Sequence, residues 1–587
     1  MTDSILFPRP RHIEWGDGFV AADTAISEEV DPTLPAEGYR LTVDDGGIEL
    51  RHADDNGRRY GHQTLGQLTE EAGVRRAHVV DHPDVAVRGH MLDISRDRVP
   101  TRDTLELLVR RLAACRYNHL QLYTEHTFAY RDHPTVWADA SPMTADDMVW
   151  LDELCAQHGI ELAANQNTFG HMERWLRHDA YRHRAEAPDG FARRGSTIPP
   201  GSLAPTAANA AFAVDLVREL MDTVTSRRVN VGCDEVFELG QGVSADDVAA
   251  RGKTEVFVEH LRRIVEPLLA DGFEVQFWAD MLESNIEIGQ DLAQAGAIAT
   301  IWGYEAPLDI DPDTVDLSSL PDDIREMAEE YLRNAAQGFG PRMEAFSASG
   351  FRRWVAPGTS GWNSFVGRHH NARANILDAV EAAIASDAEG MLNTEWGDNG
   401  HMQPPFATFP ALAYGGAASW CRAANGDLTD DDLAQAISRR IYNDHGGTLA
   451  RAQIELGLVG ATLGLPLLNG CPFFYCWITS GFFADIEQPS AEALAAAIDQ
   501  VRGAADLLAS AAPRTVDGDQ LVAETQHSAE LVAHGLRRLA ARFDMDGAPT
   551  DQLAAEVTAL KDQHRRHWLA RSRPGGLDDS VARMSAP

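Results

Sequence analysis

The chain has 587 residues, 44% of them hydrophobic, which is too long for one ordinary domain and enough to bury large cores. Its formal charge of -38 at pH 7 excludes a partner read through phosphates, so neither nucleic acid nor an anionic membrane surface is expected. With no apolar run of about 18 residues, and no basic and apolar signal regions in Met1 to Pro8, a soluble cytoplasmic protein is expected.

In chain order, the first regular pattern is strand, turn, strand and helix: Tyr39–Val43, Asp44 to Gly47, Ile48–Arg51 and Tyr60–Leu68. The two strands alternate apolar and polar residues around a Gly turn, which predicts a hairpin with a helix packed on it. This makes a small α+β module of residues 1–84, closed by Asp81-His82-Pro83-Asp84 as a linker. From Val87 the pattern changes to strand-length apolar runs separated by amphipathic segments. The runs are Met91–Ile94, His119–Tyr123, Ile160–Ala164, Val229–Gly232, Glu274–Trp278, Ile298–Trp302, Trp354–Ala356 and Met391–Thr394. Eight such units predict a (β/α)8 TIM barrel over residues 85–425. A doubly wound open sheet is the rival, but no Gly-rich phosphate loop follows any of these runs. Residues 426–587 are helical by pattern, forming a bundle packed on the barrel or used for homo-oligomer contacts. Arg571-Ser572-Arg573 reads as a solvated helix end.

In such barrels the residues just past each strand face the active site. Here they are Asp93 and Arg96, Glu125 and His126, Asn165 and Gln166, Asp234 and Glu235, Trp278 and Asp280, Trp302 and Tyr304, Trp362, and Trp396 and Asp398. Tryptophan faces, carboxylates and amides are the lining a small neutral carbohydrate requires. The centre of this set is Asn230-Val231-Gly232-Cys233-Asp234-Glu235, an apolar run ending in two adjacent acids. Asp152-Glu153 has the same letters but falls in a helical pattern, where an exposed face is expected. His126, His171 and His401 lie in different loops, so no Ser/His/Asp triad is indicated. The six cysteines show no metal-ligand spacing, and Cys471 and Cys476 are expected as reduced thiols. Neither a metal nor a cofactor is called for. Lysine occurs only as Lys253 and Lys561, and an acidic, lysine-poor surface suits concentrated salt, where charges are screened over about 3 Å at 1 M. A halophilic cytoplasm is therefore expected.

With these residues in view, the chain resembles glycoside hydrolase family 20, the β-N-acetylhexosaminidases. The resemblance runs over residues 1 to about 425 and rests on Arg88-Gly89-His90-Met91-Leu92-Asp93-Ile94-Ser95-Arg96, on Asp234-Glu235 and on Trp396-Gly397-Asp398. It departs from the family's usual pattern at Asn230 and Cys233, at Glu125-His126 and at Gly358-Thr359-Ser360-Gly361-Trp362. The resemblance implies a zincin-like fold for the small domain and substrate-assisted hydrolysis of a terminal β-linked N-acetylhexosamine with retention. Asp234 is then expected to hold the 2-acetamido group, and Glu235 to act as general acid and base. Arg88 and Asp398 are expected to grip ring hydroxyls; Trp278, Trp302, Trp362 and Trp396 to wall the sugar; and His171 to orient Asp234. A glycosidase for another amino sugar or sugar acid, and a non-catalytic sugar-binding protein, are the alternatives.

Overall fold

The computed structural model describes residues 6–96, 98–193, 196–318, 322–465, 467–478, 486–545 and 549–585. The N-terminal module is a six-stranded sheet in the order β1-β6-β3-β4-β2, with β5 paired to β6. The strands are β1 His12–Val20, β2 Ile26–Val30, β3 Tyr39–Asp44, β4 Gly47–His52, β5 Thr69–Glu70 and β6 Gly73–Asp81. The expected hairpin is β3–β4, paired from Tyr39↔His52 to Asp44↔Gly47. Helix Asp55–Leu68 starts where the Asp54 side chain accepts the Gly57 amide, satisfying an otherwise orphaned donor. It packs closely enough that a Cβ on Gly61 would lie 2.3 Å from Leu50 Cδ1. Tyr60, Leu65 and Leu68 join Leu41, Val43 and Leu50 in a core that also takes in Trp420 and Cys421 from the end of the barrel.

The segment expected to be a linker is instead a pinned junction. Asp81 ends β6, is buried, and accepts Tyr39 Oη at 2.8 Å and Trp420 Nε1 at 3.0 Å. Asp84 accepts the Arg422 amide at 2.7 Å. Asp81 therefore clamps the sheet to the last barrel helix, Phe409–Trp420, whose residues are all buried, and Asp84 holds the start of the short helix Arg422–Asn425 that follows it.

Eight parallel strands close into a barrel. They are β7 Val87–Asp93, β8 His119–Thr124, β9 Glu161–Gln166, β12 Arg228–Asn230, β13 Glu274–Trp278, β14 Ile298–Trp302, β15 Arg352–Ala356 and β16 Gly390–Glu395; a hairpin, β10 Phe191–Arg193 with β11 Ser196–Ile198, is inserted after β9. The (β/α)8 expectation holds, with β7 beginning four residues before the apolar run Met91–Ile94. Closure is made by β16 against β7, in register from Gly390↔Val87 to Glu395↔Leu92. Helices between the strands bury apolar faces against them, as Lys253–Ala270 does with Val256, Leu261, Ile264 and Leu268. Asp152, on helix Ala145–Gln157, is buried and accepts the Thr225 amide at 3.1 Å, so only Glu153 of that acid pair is exposed as expected.

Beyond the barrel lie helices Asp430–Ile437, Thr448–Leu463, Ala491–Ala509, Gly518–Arg542, Thr550–Arg571 and Leu577–Arg583. The basic group at their end is not solvated. Arg571 is buried and pairs with Asp517 and Glu524, each at 2.9 Å, while Arg573 reaches Asp147 at 2.8 Å. Asp517 also takes Arg111 of a barrel helix at 2.8 Å, so these charges weld the helical region to the barrel. An uncompensated buried charge would be costly, which is why the arginines and acids occur as a set.

Candidate active site

The site forms at the C-terminal ends of the strands. The strand β12 ends at Asn230, and the chain then turns through Gly232, Cys233 and Glu235 at φ 70°, 72° and 49°. Gly232 is needed there because a Cβ would lie 2.4 Å from Asn167 Oδ1. The two acids thus sit in a tight turn, and the turn, rather than strand alternation, sets their directions.

Asp234 is buried, with Oδ1 accepting Asn167 Nδ2 at 2.9 Å and Oδ2 lying 3.4 Å from His171 Nε2. The same His171 nitrogen is 3.4 Å from Glu235 Oε2. Asn167 braces the turn further, its Oδ1 accepting the Cys233 amide at 3.1 Å and its Nδ2 donating to Tyr123 Oη at 3.1 Å. Burial pushes the Asp234 pKa up, but the His171 charge, the hydrogen bonds from His171 and Asn167, and Arg96 together hold it below the usual carboxylate value. Burial lowers the His171 pKa, yet Asp234 and Glu235 outweigh that and raise it well above the ordinary imidazole value. Asp234 and His171 are therefore an ion pair at neutral pH. Glu235 is more open, its side chain 38% exposed.

Asp280, just past β13, is the third acid of the group. Its Oδ2 accepts the Glu235 amide at 2.9 Å and its Oδ1 accepts Trp302 Nε1 at 3.3 Å. Burial and the Asp234 charge drive its pKa well above the usual range. One carboxyl thus ties the backbone of Glu235 to an aromatic wall, and burial beside the ionised Asp234 favours its neutral form.

The expected sugar-gripping arginine must be corrected. Arg88 is the second residue of β7, at the opposite end of the barrel from the site, and is fully buried. It ion-pairs with Glu37 of the N-terminal sheet domain and donates to the carbonyls of Arg116, Val85 and Ala86. Arg96, eight residues later, occupies the mouth. Its Nη1 lies 3.0 Å from Glu125 Oε1 and 3.5 Å from Asp93, and its guanidinium sits 5.1 Å from the Tyr123 ring and 5.3 Å from the Trp396 ring. Arg88→Leu is expected to cost about 3–5 kcal/mol of stability, the range for breaking a buried pair, with KM unchanged. An unchanged Tm together with a raised KM would return Arg88 to the substrate.

The tryptophans divide into two pairs. Trp302 is half-buried and stacks on Tyr304 at 5.1 Å and 17°, and Trp396 is 6% exposed with Nε1 donating to Tyr304 Oη at 2.8 Å. Trp278 and Trp362 are fully buried behind them, Trp278 5.9 Å from Trp396 and Trp362 edge-on to Tyr304 at 5.0 Å. Neither reaches solvent. Asp398, at φ 37° after β16, accepts Asn363 Nδ2 at 3.3 Å. Burial, with Asp93 and Glu235 adding to it and Arg96 and Asn363 opposing, puts its pKa at about 6. Glu125, buried beside Arg96 and hydrogen-bonded by Tyr123 Oη at 2.9 Å, is pushed up to about 7, chiefly by burial. Of the three loop histidines, His171 touches the acid pair, whereas His401 is buried behind Gly397, where a Cβ would lie 2.7 Å from its ring. Among the described residues, no group of three or more His, Cys, Asp or Glu is placed to hold a metal ion.

Two models of one family match this chain. "Glycosyl hydrolase family 20, domain 2" matches residues 7–82, and "Glycosyl hydrolase family 20, catalytic domain" matches residues 86–310. The chain belongs to glycoside hydrolase family 20. Similar proteins include the beta-hexosaminidase of Akkermansia muciniphila, 26% identical over 29% of this chain and 38% of that protein. Human hexosaminidase D is 30% identical over 27% of this chain and 32% of its own length. The matches thus span less than half of either of these relatives. Among solved structures, the Vibrio harveyi GH20 exo-β-N-acetylglucosaminidase in complex with N-acetylglucosamine aligns with a TM-score of 0.56 at 15% identity, over 75% of this chain and 78% of its own. The Flavobacterium johnsoniae chitobiase aligns with a TM-score of 0.56 at 14% identity over 96% of each chain. The family 20 match ends before β15 and β16, the strands whose loops carry Trp362, Asn363 and Asp398.

Proposed function

We propose that this family 20 protein is an exo-acting β-N-acetylhexosaminidase working by substrate assistance with retention. The observation that carries the reading is the adjacent pair Asp234 and Glu235, one buried and held ionised by Asn167 and His171, the other open at the barrel mouth. In the first step the acetamido oxygen of the sugar forms a bond to its anomeric carbon while the bond to the leaving oxygen breaks. Glu235 gives its proton to that oxygen. Asp234 accepts the acetamido N–H and offsets the positive charge that the ring-closed intermediate gains. In the second step water attacks the same carbon, the acetamido carbonyl is restored, and Glu235 takes the proton from water. Trp302 and Trp396 supply the aromatic faces, and Arg96 and Asp398 the groups for ring hydroxyls.

Aryl β-glycosides bearing acetamido, trifluoroacetamido or hydroxyl groups at C2 test the reading. Rates are expected to fall steeply on fluorination and to vanish for the hydroxyl sugar, with the β-anomer as first product by NMR. Equal turnover of the C2-hydroxyl sugar would remove acetamido participation.

The pH profile supplies a further expectation. If ionised Asp398 accepts sugar hydroxyls, kcat/KM falls by about tenfold from pH 7 to pH 5 as a group with a pKa near 6 takes up its proton. Asp398→Asn is expected to lower kcat/KM and to flatten that limb. A limb unchanged in this variant would assign it to another acid.

A further inference from the structure

The helical region after the barrel shows no catalytic motif in the sequence, yet one of its turns enters the barrel mouth. After helix Thr448–Leu463, the chain brings Asn469 to the β14 and β15 loops. Three polar groups of Asn469 bond to these loops: its amide donates to Glu305 Oε1 at 2.7 Å, its carbonyl accepts Asn363 Nδ2 at 3.0 Å, and its Oδ1 accepts Trp362 Nε1 at 2.6 Å. Two residues on, the Cys471 amide donates to the Asn363 carbonyl at 2.9 Å. Asn363 is therefore held from this region at both its side chain and its backbone. Its Nδ2 reaches Asp398 as well, and its Oδ1 accepts Asn399 Nδ2 at 2.9 Å. The far anchor is rigid, since Glu305 is buried against Arg368 with contacts of 2.8 and 2.9 Å.

The barrel order gives this cluster its place relative to the chemistry. The strand before Asp398, β16, stands four positions from β12, the strand before Glu235, so the two lie across the ring from each other. A sugar with its anomeric carbon at Glu235 points the far side of its ring toward Asp398.

We infer that the segment Leu467–Tyr475 is a specificity element of the active site, with Asn469 as a positioning residue that acts through Asn363 to close the barrel mouth behind Asp398. The substrate class that fits is a terminal N-acetylhexosamine with no extension on the far side of its ring. The inference rests on the hexosaminidase reading and on Asp398 as a sugar-binding group. Asn469 lies at φ 57°, a left-handed conformation that Asn and Gly tolerate and a β-branched residue does not.

The test compares full-length Asn469→Val, Asn469→Gly and Asn363→Asp on the aryl β-glycosides of N-acetylglucosamine and N-acetylgalactosamine, which differ only at C4. Asn469→Val, which expels the turn, and Asn363→Asp, which turns a donor into an anion facing Asp398, are each expected to raise KM about tenfold with kcat within about twofold. Both are expected to shift the ratio of kcat/KM between the two epimers by threefold or more. Asn469→Gly, which keeps the backbone conformation and the bond to Asn363, is expected to keep the wild-type ratio. Asn363→Asp decides the matter if Asn469→Val does not fold. A wild-type epimer ratio in Asn363→Asp, or in folded Asn469→Val, overturns the inference while wild-type turnover leaves the hexosaminidase reading standing. Wild-type protein inactive on both epimers overturns that reading and this inference together.

Discussion

Glu235→Gln is expected to lower kcat by about 10²- to 10⁴-fold, the usual contribution of a positioned general acid and base, with the fold unchanged. The substitution keeps size and shape, and the contacts that place the residue survive it. Its amide still donates to Asp280 Oδ2, and the turn at φ 49° is set by the backbone rather than by the side chain. The amide has no proton of suitable acidity to give, so the loss grows with the basicity of the leaving oxygen. A disaccharide is therefore expected to suffer more than a nitrophenyl glycoside, whose leaving group departs with little help. A loss equal for both substrates would show that Glu235 positions substrate without transferring its proton. Near-normal kcat on both would remove Glu235 from the reaction. Asp280 can be separated in the same assays: Asp280→Ala frees the Glu235 amide and the Trp302 indole together, whereas Asp280→Asn keeps one acceptor and the neutral charge state that burial beside Asp234 favours.

The barrel was legible because its signal is periodic. Eight apolar runs recur with helices between them, and each run lies on the strand found, to within a few residues. The error at β7 shows where that signal ends. Apolarity begins at Met91, but hydrogen bonding begins at Val87, because Arg88 is buried by an ion pair with Glu37 in a different domain. A pattern reading cannot supply a partner fifty-one residues away in sequence, so Arg88 looked like a residue of the site and Arg96 was left among the strand-end groups. The tryptophans show the limit of the same signal. Their positions after the strands are read correctly, but their mutual packing, with Tyr304 between Trp302, Trp362 and Trp396, appears only in three dimensions. Arg571 and Arg573 followed the same logic, since Asp517, Glu524 and Asp147 come to them through tertiary contacts. Asn469 carried no signal at all. Its role depends on a turn from the helical region reaching loops more than one hundred residues earlier.

Asp234→Asn carries the second large expected effect, a loss in kcat of about 10²- to 10³-fold, comparable to removing one preorganised electrostatic contact from a transition state. The side chain keeps its volume but loses the charge on which three neighbours depend. His171 is held protonated mainly by Asp234, so its pKa falls toward the ordinary imidazole value once that anion is gone. The Asp280 pKa also falls, because Asp234 is the charge that adds most to the effect of burial. The new amide keeps the bond from Asn167 by facing it with its oxygen, which leaves its NH2 group toward His171 Nε2. The variant is thus expected to lose rate and to change its pH profile, with activity declining at lower pH on the alkaline side as Asp280 ionises earlier. It is also expected to lose most of the rate difference between acetamido and trifluoroacetamido substrates, since the positive charge that this difference reports is no longer stabilised. A variant that kept the full acetamido preference and the wild-type pH profile would show that the charge of Asp234 plays no part in the step.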